Sequence, residues 1–372
     1  MGSLRSWLNI EQLTVVANFT VSKAAELTNN ISELIKMANQ LFRRVDGAIP
    51  NTLALGYTFA GYGVGIGLLM VAPWWLNVLG MLLLAHALIY SAYFIHEVAH
   101  GTIFGSNAAN HRCGVIMGWL NGSCYASFAD LRRKHMRHHR DRADVITFDY
   151  KSFLRAGPSW LRNLVLVLEW AYIPAVEFIM RIYVMLLPFI DPGHTPARKR
   201  IIVVLILRLL FFATLAWVSW KALVLYFVAY VIFITALRFT DAYQHTYDAF
   251  AILAAGAIPD NKIRDRAYEQ NNTYSNLVSV RHPLLNLLLL NFSYHNAHHE
   301  KPTVPWYRLP ALHHELYGDD GEQVIPMSCL LSGFHKHRVK RILSDDYGVV
   351  TSGPNKADGF YGAIGVSFLT AV

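Results

Sequence analysis

The stretch from Leu76 to Ile95 (LNVLGMLLLAHALIYSAYFI) has no Asp, Glu, Lys or Arg, and it runs directly into His96-Glu-Val-Ala-His100. About 20 apolar residues are the length that crosses a bilayer as a helix. A second apolar stretch, from Leu53 to Val71, precedes it, and Pro73-Trp74-Trp75 lies between the two. Because tryptophan favours the membrane interface, the pair predicts a helical hairpin, with the two histidines where the second helix leaves the membrane.

The composition agrees with a membrane protein. Hydrophobic residues make up 54% of the 372 residues and charged residues only 16%, with a mean hydropathy of +0.29. A soluble domain has about 25% charged residues. A second hairpin is predicted between Ile201 and Leu237, with Ser219-Trp220-Lys221 as its turn. Arg208 lies inside its first arm, where a charge is costly unless it snorkels, pairs or faces the protein interior.

Positive charge indicates how the chain is oriented. Arg43, Arg44, the 132–142 segment and Arg198-Lys199-Arg200 all lie on the side of the membrane opposite the two short hairpin turns. The positive-inside rule makes that side cytosolic. We therefore expect an integral membrane protein whose histidine clusters and two termini are cytosolic.

Three predicted regions follow from this pattern. Residues 1–50 form an amphipathic N-terminal lead-in, residues 51–345 form one membrane domain, and residues 346–372 form a tail rich in Gly and Ser. Within the domain, residues 159–190 predict an interfacial helix, since their charged residues fall within roughly a third of the helix circumference. Residues 284–292 are too few to span and predict a helix docked under the metal site.

Histidine is clustered in a way that folding alone does not explain. The clusters are His96-Glu-Val-Ala-His100, His135-Met-Arg-His138-His139 and His295-Asn-Ala-His298-His299. Residues at i, i+3 and i+4 share one face of a helix, so each cluster points its imidazoles in one direction. One metal ion takes only about four to six donors, so eight imidazoles indicate two ions. A lone histidine is more often a hydrogen-bonded core or surface residue, but three clusters together are not.

The basic segment 132–142 holds six Lys or Arg residues between its histidines, in a chain of net charge +8. A nucleic-acid patch is excluded as an interpretation, because no recognisable nucleic-acid-binding fold accompanies it and it follows a membrane hairpin. Anionic lipid headgroups, the phosphates of an activated acyl donor, or an acidic electron carrier all fit. Charge alone does not choose among the three.

Over residues 50–320 the ordered histidine boxes, with a membrane hairpin between the second and third, resemble those of the membrane fatty acid desaturases and their hydroxylase relatives. The resemblance implies an all-α membrane fold of four transmembrane helices in two hairpins, with interfacial helices and a cytosolic helical cap that holds two non-haem iron ions. It also implies His245 as a ninth metal ligand. The candidates for accepting a ligand ring N–H are Glu97, Asp241, Asn271 and Asn272.

The resemblance further implies the reaction. Members of the family use O2 and two electrons from an external carrier to introduce a cis double bond into an acyl chain, and related enzymes hydroxylate acyl, alkane or carotenoid substrates. The acyl group arrives on a lipid, on coenzyme A or on a carrier protein. Ferredoxin, rubredoxin or cytochrome b5 with its reductase are the expected donors. Residues 269–275 and 295–317 look most like bacterial acyl desaturases, so we expect a bacterial inner membrane.

Two rival functions are compatible with parts of the pattern. His96-Glu97-Val98-Ala99-His100 also matches H-E-x-x-H, the zinc metalloprotease signature in which Glu is the general base. A membrane protease, however, leaves the six histidines of the other clusters without a task. A histidine-rich metal transporter would need polar residues within its spanning helices, and the predicted helices are nearly free of them.

Overall fold

The computed structural model of the chain describes residues 23, 40–254, 258, 261–318, 321–351, 353, 355–365 and 369–372. Most of the predicted N-terminal lead-in lies outside the described residues. The described α-helices are, in chain order, α1 (Ala48–Met70), α2 (Trp74–His100), α3 (Asn107–Asn121), α4 (Phe128–Asp141), α5 (Tyr150–Ala156), α6 (Ser159–Trp170), α7 (Ala175–Ile190), α8 (Arg198–Val218), α9 (Trp220–Asp241), α10 (Arg266–Asn271), α11 (His295–Glu300), α12 (Leu309–Tyr317), α13 (Met327–Lys336) and α14 (Lys340–Leu343).

The remaining regular structure is short. Two three-residue strands, β1 (Asp144–Ile146) and β2 (Phe250–Ile252), form one parallel pair in which Asp144 is opposite Phe250. The pair joins the segment after α4 to the segment after α9. The 3₁₀ helices are Val45–Gly47, Ser123–Tyr125, Pro192–Ala197, Pro283–Leu289 and Trp306–Arg308.

Four helices within the described residues, α1, α2, α8 and α9, are long and apolar enough to cross a membrane. They form the two predicted hairpins, so the all-α membrane fold is confirmed. The first hairpin packs tightly, because a Cβ on Gly80 would lie 2.9 Å from the carbonyl oxygen of Gly65. Small residues let two membrane helices approach this closely.

The turns of the two hairpins contact each other. The Lys221 ammonium donates to the Val71 carbonyl at 2.5 Å and to the Asn77 side-chain oxygen at 3.0 Å. The Asn77 amide in turn donates to the carbonyls of Leu68 and Val71. Both turns therefore lie on the same side of the membrane, as the sequence predicts, and they satisfy carbonyls that the end of α1 leaves unpaired.

Helix α3 runs back alongside α2 and ends among the membrane helices. Its last turn is held by Arg208 of α8, whose guanidinium donates to the Trp119 carbonyl at 2.5 Å and lies 5.8 Å from the Trp119 ring centre. Arg208 is only 7% exposed. The Arg208 side chain therefore faces the protein interior; it neither snorkels to the interface nor pairs with a carboxylate of the described residues. Its guanidinium caps a carbonyl that the end of α3 leaves without a helical partner.

The segment 159–190 departs from its prediction. It forms two helices, α6 and α7, instead of one. The charged residues, which an interfacial helix would expose to water, are largely buried in protein. Glu169 accepts from Arg238 at 2.7 Å and from the backbone N–H of Val176 at 2.9 Å, and Arg181 donates to the Gly122 carbonyl at 2.6 Å. The apolar side of both helices is exposed instead, as expected where lipid is the solvent, because buried charges need partners that lipid lacks.

The segment 284–292 is a 3₁₀ helix followed by two residues of positive φ, Leu290 and Asn291, not the predicted α-helix. The Tyr90 hydroxyl of α2 donates to the Leu287 carbonyl at 2.5 Å and anchors the segment to the first hairpin. Phe292, which follows, packs its ring 4.7 Å from that of His96. The segment therefore lies against the histidine cluster, as the sequence predicts, although with a tighter helical geometry.

The residues after 346 pack against the rest of the protein. Tyr347, Phe360 and Leu369 are buried, and the Thr370 carbonyl accepts from the Lys134 ammonium of α4 at 3.1 Å. The three-part division of the chain stays a prediction. The described part of the tail nonetheless contributes to the packing of α4, which carries the second histidine cluster.

Candidate metal centre

The nine predicted ligand histidines lie together although they come from four separate parts of the chain. The last turn of α2, helix α4, the segment after α9 and helix α11 contribute them. They are His96, His100, His135, His138, His139, His245, His295, His298 and His299. Eight of the nine belong to the three sequence clusters and His245 to none, so only the packing of these elements brings the clusters into contact with one another.

The nitrogen atoms separate into two groups, each of which has its ring nitrogens within 4.8 Å of one another. The larger group joins all three boxes and has five members: His96, His100, His135, His139 and His298. The smaller group has four members: His138, His245, His295 and His299. Two groups of this size are what two metal ions with imidazole ligands require.

The ring nitrogens face each other through Nε2. In the first group the Nε2 atoms of His100 and His135 are 2.7 Å apart, and those of His96 and His298 are 3.0 Å apart. In the second group His245 has its Nε2 at 3.0 Å from that of His295. With metal–nitrogen bonds of about 2.1 Å, two ligands at a right angle lie roughly 3.0 Å apart. The observed separations therefore fit imidazoles arranged around cations.

Burial keeps six of the imidazoles neutral. Removal from water, followed by the neighbouring imidazoles His245 and His299, lowers the pKa of His138 to about 3. Burial likewise lowers the pKa of five further histidines of the two groups, all outside the spanning helices. They are His135, His139, His295, His298 and His299. A neutral imidazole has a free lone pair, so the site is ready to bind metal at neutral pH.

Helix α4 is positioned by contacts at both of its ends. The Ser127 hydroxyl accepts from the Asp130 backbone N–H at 3.1 Å, which caps the N-terminus. Arg142, at φ 49°, ends the helix, and the Arg132 guanidinium donates to the Ala99 carbonyl of α2 at 2.8 Å. These bonds fix α4 beside the end of α2, so the first two histidine clusters face each other.

Two carboxylates that sequence reasoning missed orient the second group. Glu269 of α10 accepts from Nδ1 of His299 at 2.8 Å, and Oδ1 of Asp144 lies 3.4 Å from Nδ1 of His245. A hydrogen bond at Nδ1 places the lone pair on Nε2, the atom that faces the metal group. Asp144 lies five residues after the second box and Glu269 two residues before a predicted candidate, so position relative to the boxes was the only available signal.

Asp144 keeps its negative charge despite its burial. Burial alone raises the pKa of a carboxyl, but hydrogen bonding and charge from His245, followed by His138, lower that of Asp144 below its ordinary value. The Tyr347 hydroxyl also donates to it. Asp144 also lies 3.6 Å from Nδ1 of His138, whose shorter contact is to the Ala143 carbonyl at 2.8 Å. One carboxylate thus faces two histidines of the second group.

Glu97 lies next to the first group, as predicted, but it is mainly engaged elsewhere. Its Oε1 is 3.6 Å from Nδ1 of His96, too long for a strong hydrogen bond. Its Oε2 accepts from the Thr102 hydroxyl at 2.6 Å and from the Trp306 backbone N–H at 3.2 Å. Glu97 therefore ties the end of α2 to the segment that follows α11.

The other three predicted orienting groups have different surroundings. Asn272 bonds through its side chain to Thr246 and to the Tyr268 carbonyl, and Asn271 offers its carbonyl to Gln323. Neither amide contacts a ring nitrogen among the described hydrogen bonds. Asp241 lines a cavity of about 30 Å³ beside the histidines, and neither of its buried oxygens has a hydrogen-bond partner among the described residues. Glu269 and Asp144 face the ring nitrogens instead, Glu269 from the body of α10 and Asp144 from β1.

Comparison with known proteins adds one finding. A family model described as fatty acid desaturase matches residues 73–330, which include every histidine of the two groups. No curated protein matches the chain.

Proposed function

Because this chain belongs to the fatty acid desaturase family, we propose that it is a membrane desaturase that introduces a cis double bond into a fatty acyl chain. The reaction uses O2 and two electrons from an external carrier. The observation that carries the proposal is the convergence of nine ring nitrogens, seven of them on buried side chains, in groups of five and four. Membership in the family indicates an oxidoreductase that acts on fatty acyl chains. We further propose that its product is a cis double bond.

We assign the two groups to two iron ions. Imidazole donors suit iron, and the nitrogen separations fit ligands around a cation. Iron bound there would supply the activation of O2, since no side chain removes hydrogen from an unactivated methylene. The residues of the chain then have three tasks: to hold the ions, to fix the imidazoles, and to keep water from the reacting carbon.

Orientation of the imidazoles is the task of the carboxylates and carbonyls behind them. Glu269 and the Ala143 carbonyl each accept a ring N–H, from His299 and His138 respectively, so the opposite nitrogen of each ring is left as the donor to metal. The same carboxylates place negative charge near the ions. This charge offsets part of the repulsion between two cations held by neutral ligands.

Exclusion of water is the task of the aromatic residues at the end of the first hairpin. Phe292 stacks on Tyr93 with ring centres 4.6 Å apart and contacts the His96 and His295 rings from the side of the membrane helices. Both aromatic residues are buried. A dry surrounding prevents side reactions and strengthens the electrostatic interactions at the site.

The geometry does not support the protease alternative. A zinc protease needs the Glu of H-E-x-x-H free to activate a water molecule. Glu97 instead accepts from Thr102 and from the Trp306 backbone. His96 and His100 also share their group with three further histidines, which exceeds the three protein ligands of a catalytic zinc.

The partners follow from the same proposal. The substrate is an acyl chain carried by a lipid, coenzyme A or a carrier protein, and ferredoxin, rubredoxin or cytochrome b5 with its reductase delivers the electrons. We place the histidine groups on the cytosolic side, since the basic residues of α4 and those that begin α8 lie opposite the two short hairpin turns. A bacterial inner membrane stays a prediction.

Expression in a host of known lipid composition tests the proposal. Mass spectrometry of the host's fatty acids should show a new species that is lighter by two hydrogens. The His298→Ala variant should make none, whereas His313→Ala, which removes a buried histidine outside both groups, should remain active. A species heavier by one oxygen would instead show a hydroxylase, and an unchanged profile with both irons bound would contradict the proposal.

A further inference from the structure

A basic groove follows the outer face of α4. It has a volume of about 820 Å³, and its cationic lining residues are Arg132, Arg133, Arg137 and Arg140. At 100° per residue this face lies roughly 120° around the helix from the histidine face. The groove is therefore separate from the metal centre, with the body of α4 between them.

An apolar cleft adjoins the groove. The cleft has a volume of about 480 Å³ and lies between α3, the start of α4 and the first turns of α8. His111 and Phe128 line both spaces, so the groove and the cleft meet at these two side chains. One continuous site thus has a cationic part and an apolar part, the arrangement that an amphiphile with an anionic head requires.

The walls of the cleft face the membrane. Val115 of α3 is 39% exposed and Val203 of spanning helix α8 is 52% exposed, and both line the cleft. Apolar side chains exposed at this depth contact lipid tails. An acyl chain can therefore reach the cleft from the bilayer without crossing water.

The charges of the site favour an anion. Arg133 pairs with Asp130, and Arg137 and Arg140 share the single carboxylate of Asp141. At the rim of the cleft, Lys199 and Arg200 add two cations, and Lys199 has no hydrogen bond or ion pair with the described residues. Six cationic side chains thus face two carboxylates. Guanidinium groups are well suited to bind phosphate oxygens in pairs.

We propose that the groove and cleft bind one anionic glycerophospholipid, with its phosphate on the arginines of α4 and one acyl chain against Val115 and Val203. The sequence left lipid headgroups, activated acyl donors and acidic carriers as equal partners for this segment. The adjoining cleft decides in favour of the lipid, because an acidic electron carrier has no acyl chain to bury, and because the exposed walls of the cleft face a bilayer that supplies a phospholipid directly, whereas an activated acyl donor comes from water. The proposal does not depend on the desaturase reaction.

The test is native mass spectrometry of the full chain in detergent, titrated with phosphatidylglycerol or with phosphatidylcholine of the same acyl chains. Phosphatidylglycerol should bind about tenfold more tightly or better, since each cation near a lipid headgroup favours the anionic form. The double variant Arg133→Gln/Arg140→Gln should abolish this preference. The double variant Lys301→Gln/Lys336→Gln, which removes the same charge elsewhere, should preserve it.

Filling the cleft tests the apolar half of the site. Val203 lies on a lipid-facing surface that tolerates a larger side chain. Val203→Trp should therefore weaken the binding of phosphatidylglycerol and of phosphatidylcholine by a similar factor. His298→Ala should bind phosphatidylglycerol as the wild type does, which separates this proposal from that of the desaturase. Three results would each overturn the proposal. The first is equal affinity for the two lipids, and the second is tighter binding of palmitoyl coenzyme A than of phosphatidylglycerol. The third is displacement of phosphatidylglycerol by pyrophosphate together with an unchanged lipid affinity in Val203→Trp.

Discussion

Glu269 accepts a hydrogen bond from Nδ1 of His299 at 2.8 Å. The Nε2 atom of the same ring lies 3.1 Å from Nε2 of His245, within the four-histidine group. One carboxylate on a six-residue helix thus determines which nitrogen of His299 faces the other histidines of the group. Both side chains are buried, so no solvent competes for either contact.

Glu269→Gln should weaken binding of the second metal ion by about 10- to 100-fold, the usual effect of removing a partner behind a ligand imidazole. The amide no longer brings a negative charge to the ring N–H. Competition with a chelator of known affinity measures the change. Glu315→Gln, at an exposed carboxylate, serves as the control. An unchanged affinity in Glu269→Gln would show that His299 is oriented by its packing alone.

Removing a single ligand should empty one ion position and leave the other. His298→Ala affects the five-histidine group and His295→Ala the four-histidine group, so each variant should retain about one iron per chain where the wild type has two. Elemental analysis of the purified protein measures this ratio. His313→Ala should keep both ions, because His313 packs on Tyr294 and Tyr317 and belongs to neither group. Two ions in His298→Ala would contradict the ligand assignment.

The metal-free protein should lose stability in acid. His138 has a pKa of about 3 when folded and an ordinary value of 6.5, so the unfolded chain binds the additional proton between these two values. The stability that this imidazole contributes is therefore complete above pH 6.5 and falls with decreasing pH, by roughly 1.4 kcal/mol per pH unit. Five further imidazoles shift in the same direction.

Thermal unfolding of chelator-treated protein at pH 7.5, 6.0 and 5.0 measures this dependence. The melting temperature should fall over both steps, and more steeply between pH 6.0 and 5.0 than between pH 7.5 and 6.0. His282→Gln, at an exposed imidazole, should leave the profile unchanged. A flat profile down to pH 5 would mean that the histidines are not buried as neutral groups.

Arg208→Leu should destabilise the fold, because the Trp119 carbonyl at the end of α3 loses its donor in a buried position. Leaving a buried acceptor unpaired costs about 1–3 kcal/mol. Unfolding by titration with a denaturing detergent measures the loss. Arg162→Leu, whose side chain has no hydrogen bond among the described residues, should unfold as the wild type does. Equal stability of the two variants would mean that another donor reaches the Trp119 carbonyl.

Some residues of the site were predictable because their signals are local. The spacing in His135-Met-Arg-His138-His139 fixes three imidazoles on one side of any helix, and the structure shows them there on α4. Asp144 and Glu269 carry no such signal, since their partners lie 101 and 30 residues away, at His245 and His299. Asn271 and Asn272 were predicted from their position in the sequence alone, and their side chains do not contact a histidine ring nitrogen among the described hydrogen bonds. Position along the chain does not show which side chain meets a ring that comes from another element.

The sequence alone determined the four spanning helices, their pairing in hairpins and the eight clustered histidines, because hydropathy and spacing along one helix depend only on neighbours in the chain. His245 has no such spacing and was predicted from the resemblance to the desaturase family. The tertiary structure alone decided how those histidines divide into five and four, which carboxylates stand behind them, and that Arg208 faces α3 and not lipid. It also placed the basic face of α4 next to an apolar cleft. These relationships depend on distances between separate elements, and packing is what sets those distances.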